Sequence, residues 1–179
     1  MVYGHNENQK RVGNGTQRHH PHLFKPYMKT FYTLWLMFMT AAAIAADGPY
    51  NEAADARLEI KNALRAATNT PIIVVFGANW CGDCKALDKA MKQGAAASLL
   101  GRDFRTIKVD VGRFDKNLDV ARSYGVPLSN GIPAIAIISS TDKVLYVTRD
   151  GELADARKMG DDGIYQFFKH VTSSSTTRK

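Results

Sequence analysis

The sequence predicts an α/β fold in which a central sheet carries helices on both faces. Two short β-branched runs, PIIVVF at 71–76 and PAIAIIS at 133–139, read as strands buried on both sides. Segments with apolar residues at helical spacing lie before, between and after them. The order that results, α-β-α-β-α-β-β-α, requires crossover connections between the early strands. Such crossovers lay helices on both sides of a mainly parallel sheet.

The elements follow in order. Residues 51–67 place Ala54, Leu58, Ala63, Leu64 and Ala67 on a helical stripe, with Asn51 as cap and Asn69-Thr70-Pro71 as stop. The strand 71–76 leads into Trp80-Cys81-Gly82, which opens a helix from Asp83 to Lys92, broken at Gly94. An alanine-rich turn, 95–100, continues it. FRTIKVDV, 104–111, is the next strand, and residues 117–124 form a short helix ended by Gly125. The strand 133–139 turns at Thr141-Asp142 into KVLYVTR, 143–149, as an antiparallel hairpin. After the turn at Asp150-Gly151, a closing helix, 162–171, buries Ile164, Phe167, Phe168 and Val171, and the serine/threonine tail beyond it frays.

The 179 residues accommodate one ordinary domain and an extension. Hydrophobic residues at 45% and charged residues at 23% fit a globular chain. The net charge of +7 is unevenly placed. Lys10, Arg11, Arg18, Lys25 and Lys29 face only Glu7 in residues 1–46, so more than half of the surplus lies there. No dense Lys/Arg block remains downstream, which argues against nucleic acid as a partner.

Residues 28–46 read as a signal peptide, or as an uncleaved membrane anchor. Lys25 and Lys29 precede the uncharged run FYTLWLMFMTAAAIAA, and Ala43-Ile44-Ala45 supplies the small residues of a cleavage site after Ala45 or Ala46. The run is slightly short of the roughly 20 residues that span a bilayer comfortably. Residues 1–27 lack periodicity and read either as a disordered tail or as sequence upstream of a natural start at Met28. His19, His20 and His22 belong to that solvated stretch. The domain proper is expected over 47–179, exported to a periplasm or similar oxidising space.

The chain has 2 cysteines, Cys81 and Cys84, three apart at a strand-to-helix junction. Zinc normally takes four ligands and this pair offers two, with His170 the one histidine after the leader. A redox pair needs what is present: two thiols able to close a small ring, the first exposed at a helix N-terminus. Unpaired N–H groups and the helix dipole stabilise a thiolate there. Cys81 is therefore expected to attack, and the deeper Cys84 to resolve the mixed disulfide. No cofactor beyond the redox-active disulfide is implied. Gly82 leaves room for a docking substrate, and Trp80 either shields the site or is a core aromatic. Asp83 suits the first helical turn. Its charge also disfavours a nearby thiolate, which favours a reducing couple, and Lys85 partly offsets it.

Trp80-Cys81-Gly82-Asp83-Cys84-Lys85 after PIIVVF, Lys108-Val109-Asp110, Tyr124-Gly125-Val126 and Gly131-Ile132-Pro133-Ala134 together resemble the thioredoxin superfamily over about 51–171. The resemblance implies the thioredoxin fold, a mixed sheet, and a cis proline at Pro133 lying against the cysteines. It also implies that Ile132 offers its backbone to substrate. Three departures stand out. Val75 lies where thioredoxin carries a buried acid, leaving Lys108, Asp83 or water to compensate; Asp83 replaces a common proline; and Leu128-Ser129-Asn130 is an insertion that can reshape the substrate groove. The resemblance further implies protein thiol and disulfide substrates, a membrane electron donor of the DsbD type, and a monomer. The rival readings are a copper-binding or delivery protein using the same thiols, and a binding module switched by redox state.

Overall fold

The computed structural model describes residues 48–176. The segments 1–27 and 28–46 lie outside the described residues. Helix α1 spans Ala56–Ala66 and strand β1 Ile72–Gly77. Helices α2 (Gly82–Lys92) and α3 (Gly94–Asp103) follow, then β2 (Arg105–Asp110) and the short α4 (Leu118–Ser123). A 3-10 turn at Leu128–Asn130 precedes β3 (Ala134–Ile138), β4 (Val144–Val147) and α5 (Ala156–Thr176).

The sheet is four-stranded, in the order β2-β1-β3-β4. Only β1 and β2 are parallel; β3 runs antiparallel to β1, and β4 to β3. The mixed sheet that the family resemblance implies and the antiparallel β3–β4 hairpin are found, helices flank the sheet as expected, and the mainly parallel sheet read from the element order alone is corrected. The reason is length. The six residues of α4 rise about 9 Å, well short of the roughly 20 Å that a six-residue strand spans. The chain therefore stays near the carboxyl end of β1 and starts β3 there, with Ala134 opposite Phe76. That return brings Pro133 to the end of the sheet that holds the cysteines.

Helix α1 starts later than its stripe suggested. Asp55, not Asn51, caps it by accepting from the Leu58 N–H at 3.0 Å. With this phase Ala56, Ile60 and Ala63 are buried and Leu58 faces solvent. Helix α5 starts earlier than expected and is broken at Gly160, where φ is 64° and ψ −179°. Its C-terminal part extends past Val171 instead of fraying there. Thr172 Oγ1 donates to the Phe168 carbonyl at 2.7 Å and Ser173 Oγ to the His170 carbonyl at 2.8 Å, so the hydroxyls fold back on the helix. Ile164, Phe168 and Val171 are buried, as their spacing predicted, while Phe167 is only half-buried. They join β1 and β3 in one apolar core.

Candidate active site

Strand β1 ends at Gly77, and the next three residues lead to the N-terminus of α2. Asn79 fastens this turn to the start of the domain: its side chain accepts from the Tyr50 N–H at 2.9 Å and donates to the Tyr50 carbonyl at 2.8 Å. Cys81 is the N-cap of α2, with an extended backbone, and its Sγ accepts from the Cys84 N–H at 3.1 Å. A sulfur thus occupies the position where a capping oxygen normally satisfies an unpaired N–H. Cys81 and Cys84 form a disulfide, with Cα atoms 5.2 Å apart. Cys84 is 0% exposed and Cys81 5%, so the first sulfur is less open than expected because it turns inward toward Cys84.

The Ile132–Pro133 peptide is cis, and the Ile132 carbonyl oxygen lies 3.6 Å from Cys81 Sγ. Trp80 is 51% exposed and so is not a core aromatic. Its Nε1 donates to the Gly112 carbonyl at 2.7 Å, and its ring meets Phe114 edge-on at 6.1 Å between centroids. Phe114 in turn lines a shallow hollow with Leu118, Leu128 and Ser129, which places the inserted turn beside the site.

Asp83 is not the isolated charge that the motif suggested. Arg157 Nε donates to Asp83 Oδ1 at 3.2 Å and Nη2 to Oδ2 at 3.0 Å, while the Arg157 backbone N–H donates to Oδ1 at 3.0 Å. These bonds hold the Asp83 carboxyl below its ordinary pKa. A Cβ at Gly82 would come within 3.2 Å of the same guanidinium. The opposite charge of Arg157 sits on the same carboxylate, so Asp83 does not act on Cys81 alone as the motif suggested. Sequence reasoning missed Arg157 because it lies 74 residues from Asp83 with no local signal.

Lys85 is exposed on α2. Lys108 is paired with Asp88, which also binds Lys92 at 2.9 Å, and burial lowers the Lys108 pKa. Its ammonium is thus engaged on the second turn of α2 rather than aimed at a sulfur. Among the described residues, no group of three or more His, Cys, Asp or Glu is arranged to hold a metal.

A disulfide between cysteines three apart at a helix N-terminus, with the carbonyl before a cis proline against its first sulfur, defines a thiol–disulfide oxidoreductase of the thioredoxin fold. Comparison with known proteins agrees. Residues 53–140 match the thioredoxin-like family. A thioredoxin of Mycoplasmoides gallisepticum is 30% identical over 91 residues, covering 51% of this chain and 72% of that one. The crystal structure of a disulphide isomerase from Xylella fastidiosa Temecula1 is 48% identical, with a TM-score of 0.68 over 72% of this chain and 99% of that chain. The chain belongs to the thioredoxin-like family.

Proposed function

We propose that the protein works from its dithiol state, with Cys81 attacking disulfides of exported proteins and Cys84 releasing them, so that it acts as a reductant. One observation carries the direction. The Ile132 carbonyl faces Cys81 Sγ at 3.6 Å, and its partial negative charge disfavours a thiolate there. A couple whose reduced form is not strongly stabilised is reducing. The helix N-terminus acts the other way, and the Asp83–Arg157 pair is close to neutral, so the couple is expected among reductants rather than dedicated oxidants.

The apolar leader supports export to the periplasm, anchored if it is not cleaved, and a reductant there must be recharged. A membrane donor of the DsbD type meets that need. The name of the Xylella relative favours a second reading, disulfide isomerisation, which begins with the same attack by Cys81. Equilibration with glutathione tests the direction: a potential near that of thioredoxin, about −270 mV, is expected, and one near −120 mV overturns it. Scrambled and reduced-substrate assays then separate isomerase from reductase.

A further inference from the structure

Resolution at Cys84 requires a proton to leave a fully buried thiol, and Val75 offers no acid beneath it. Two other groups lie on this side of the sheet, one of them at that sulfur. Gly77 ends β1 without a side chain, and a Cβ there would collide with the Tyr50 hydroxyl and lie 3.0 Å from Cys84 Sγ. The hydroxyl and the sulfur therefore share the niche that glycine leaves open. Tyr50 is 1% exposed, so its hydroxyl is held in place.

Asp110 is the register partner of Gly77 across the parallel ladder, and partners in a ladder project from the same face. Its carboxyl thus projects from the face on which that niche opens, and its charge acts on the Tyr50 phenol. Asp110 is 4% exposed. Oδ2 accepts from the Gly112 N–H at 3.1 Å and has the Lys116 ammonium at 3.8 Å. Oδ1 is the one buried side-chain polar atom without a hydrogen-bond partner among the described residues. Leaving a buried acceptor unsatisfied is costly, which marks the position as one that needs an explanation. Burial and the charge of Asp110 raise the Tyr50 pKa, and burial raises that of Asp110, with Glu52 and Asp115 adding to the rise and Lys116 opposing it.

We propose that Tyr50 and Asp110 form the proton path of the resolving step, with Asp110 acting through Tyr50. As Cys84 attacks the mixed disulfide on Cys81, its S–H proton passes to the Tyr50 oxygen while the Tyr50 O–H proton passes, by way of a bridging water, to the unpartnered Asp110 Oδ1. The Cys81–Cys84 bond forms, and the bond from Cys81 to the substrate sulfur breaks. The substrate leaves as a thiolate that takes a proton from water; the protein dithiol is oxidised by two electrons and the substrate disulfide reduced. This path rests on Cys81 attacking first.

The test is stopped-flow reaction of the reduced full-length protein with 5,5′-dithiobis(2-nitrobenzoate), between pH 5 and 9. The first thionitrobenzoate released reports attack by Cys81, and the second reports resolution by Cys84. Tyr50→Phe and Asp110→Asn are each expected to slow the second phase about ten-fold or more, with the first changed less than about two-fold. The wild-type second phase should show an inflection above the ordinary aspartate range that Asp110→Asn abolishes and Asp110→Glu retains. Equal slowing of both phases, as from a merely structural role, overturns the path, and so does an unchanged second phase. A wild-type protein that releases no thionitrobenzoate at all overturns the order of attack and this path with it.

Discussion

The two ends of the sheet are built to opposite specifications. Toward the amino end of β1, Ile72, Ile73 and Val74 pack with Ile137 and Ile138 of β3, all fully buried. None of these five side chains titrates, and they hold one another by dispersion and excluded water. Three residues past Val74, at the carboxyl end, Gly77 leaves a gap shared by the Tyr50 phenol and the disulfide, with the buried Asp110 across the ladder. The apolar end supplies the stability that lets the other end hold an incompletely satisfied acid. A reactive site on such a sheet is thus a local departure from a scaffold that is otherwise uniform.

Five substitutions separate the two ends, from the largest expected effect to the smallest. Cys81→Ser should reduce disulfide reductase turnover to the uncatalysed background, while urea unfolding under reducing conditions stays as in the reduced wild type. Ile137→Ala should do the converse. An Ile-to-Ala change in a core costs about 2–5 kcal/mol, so the urea midpoint should fall while the rate per folded molecule is retained. A collapse of turnover in the folded fraction would show that the ends are not separable.

The Asp83–Arg157 pair allows a test by sign. Asp83→Asn leaves the guanidinium uncompensated beside Gly82 and should speed Cys81 alkylation at pH 6 a few-fold; Arg157→Gln leaves the carboxylate and should slow it. Equal shifts in one direction would refute an electrostatic role. Because Arg157 depresses the Asp83 pKa, the stabilisation from the pair is full above the ordinary value of 3.8 and is lost as pH falls through the depressed one.

Asp110 has the opposite sign. Burial raises its pKa, so the folded state binds the proton more firmly than the unfolded chain. Its stability contribution falls as pH rises from 3.8 through the raised value. Asp110→Asn should therefore stabilise the protein modestly at pH 7 relative to pH 4, by urea titration at each, while slowing resolution. A variant both more stable and slower would locate the cost of function at the carboxyl end.

The strands were legible because β-branched runs bounded by Pro and Gly leave few alternatives, and the cysteine motif because its spacing is local. The antiparallel β3–β4 hairpin was legible as well, but the direction of β3 against β1 was not: α4 looks like any crossover helix until its length is set against that of the strand. Leu58 was misplaced because the cap at Asp55 shifts the helical phase relative to a start at Asn51. Arg157 and Tyr50 were missed for one shared reason. Each reaches the site from a distant part of the chain, the first turn of α5 and the segment before α1, and no local pattern marks a residue whose role is set by its neighbours in space. The Gly77–Asp110 pairing was likewise invisible until the ladder register was known.

The half-exposed Trp80 has a practical consequence. The chain contains 2 tryptophans, Trp35 and Trp80, so a Trp35→Phe protein emits from the single indole that precedes the disulfide. A neighbouring disulfide quenches indole emission and its dithiol does so less. Opening of the Cys81–Cys84 bond can thus be followed in real time by intrinsic fluorescence, without a dye, in the same cuvette in which a candidate electron donor is added.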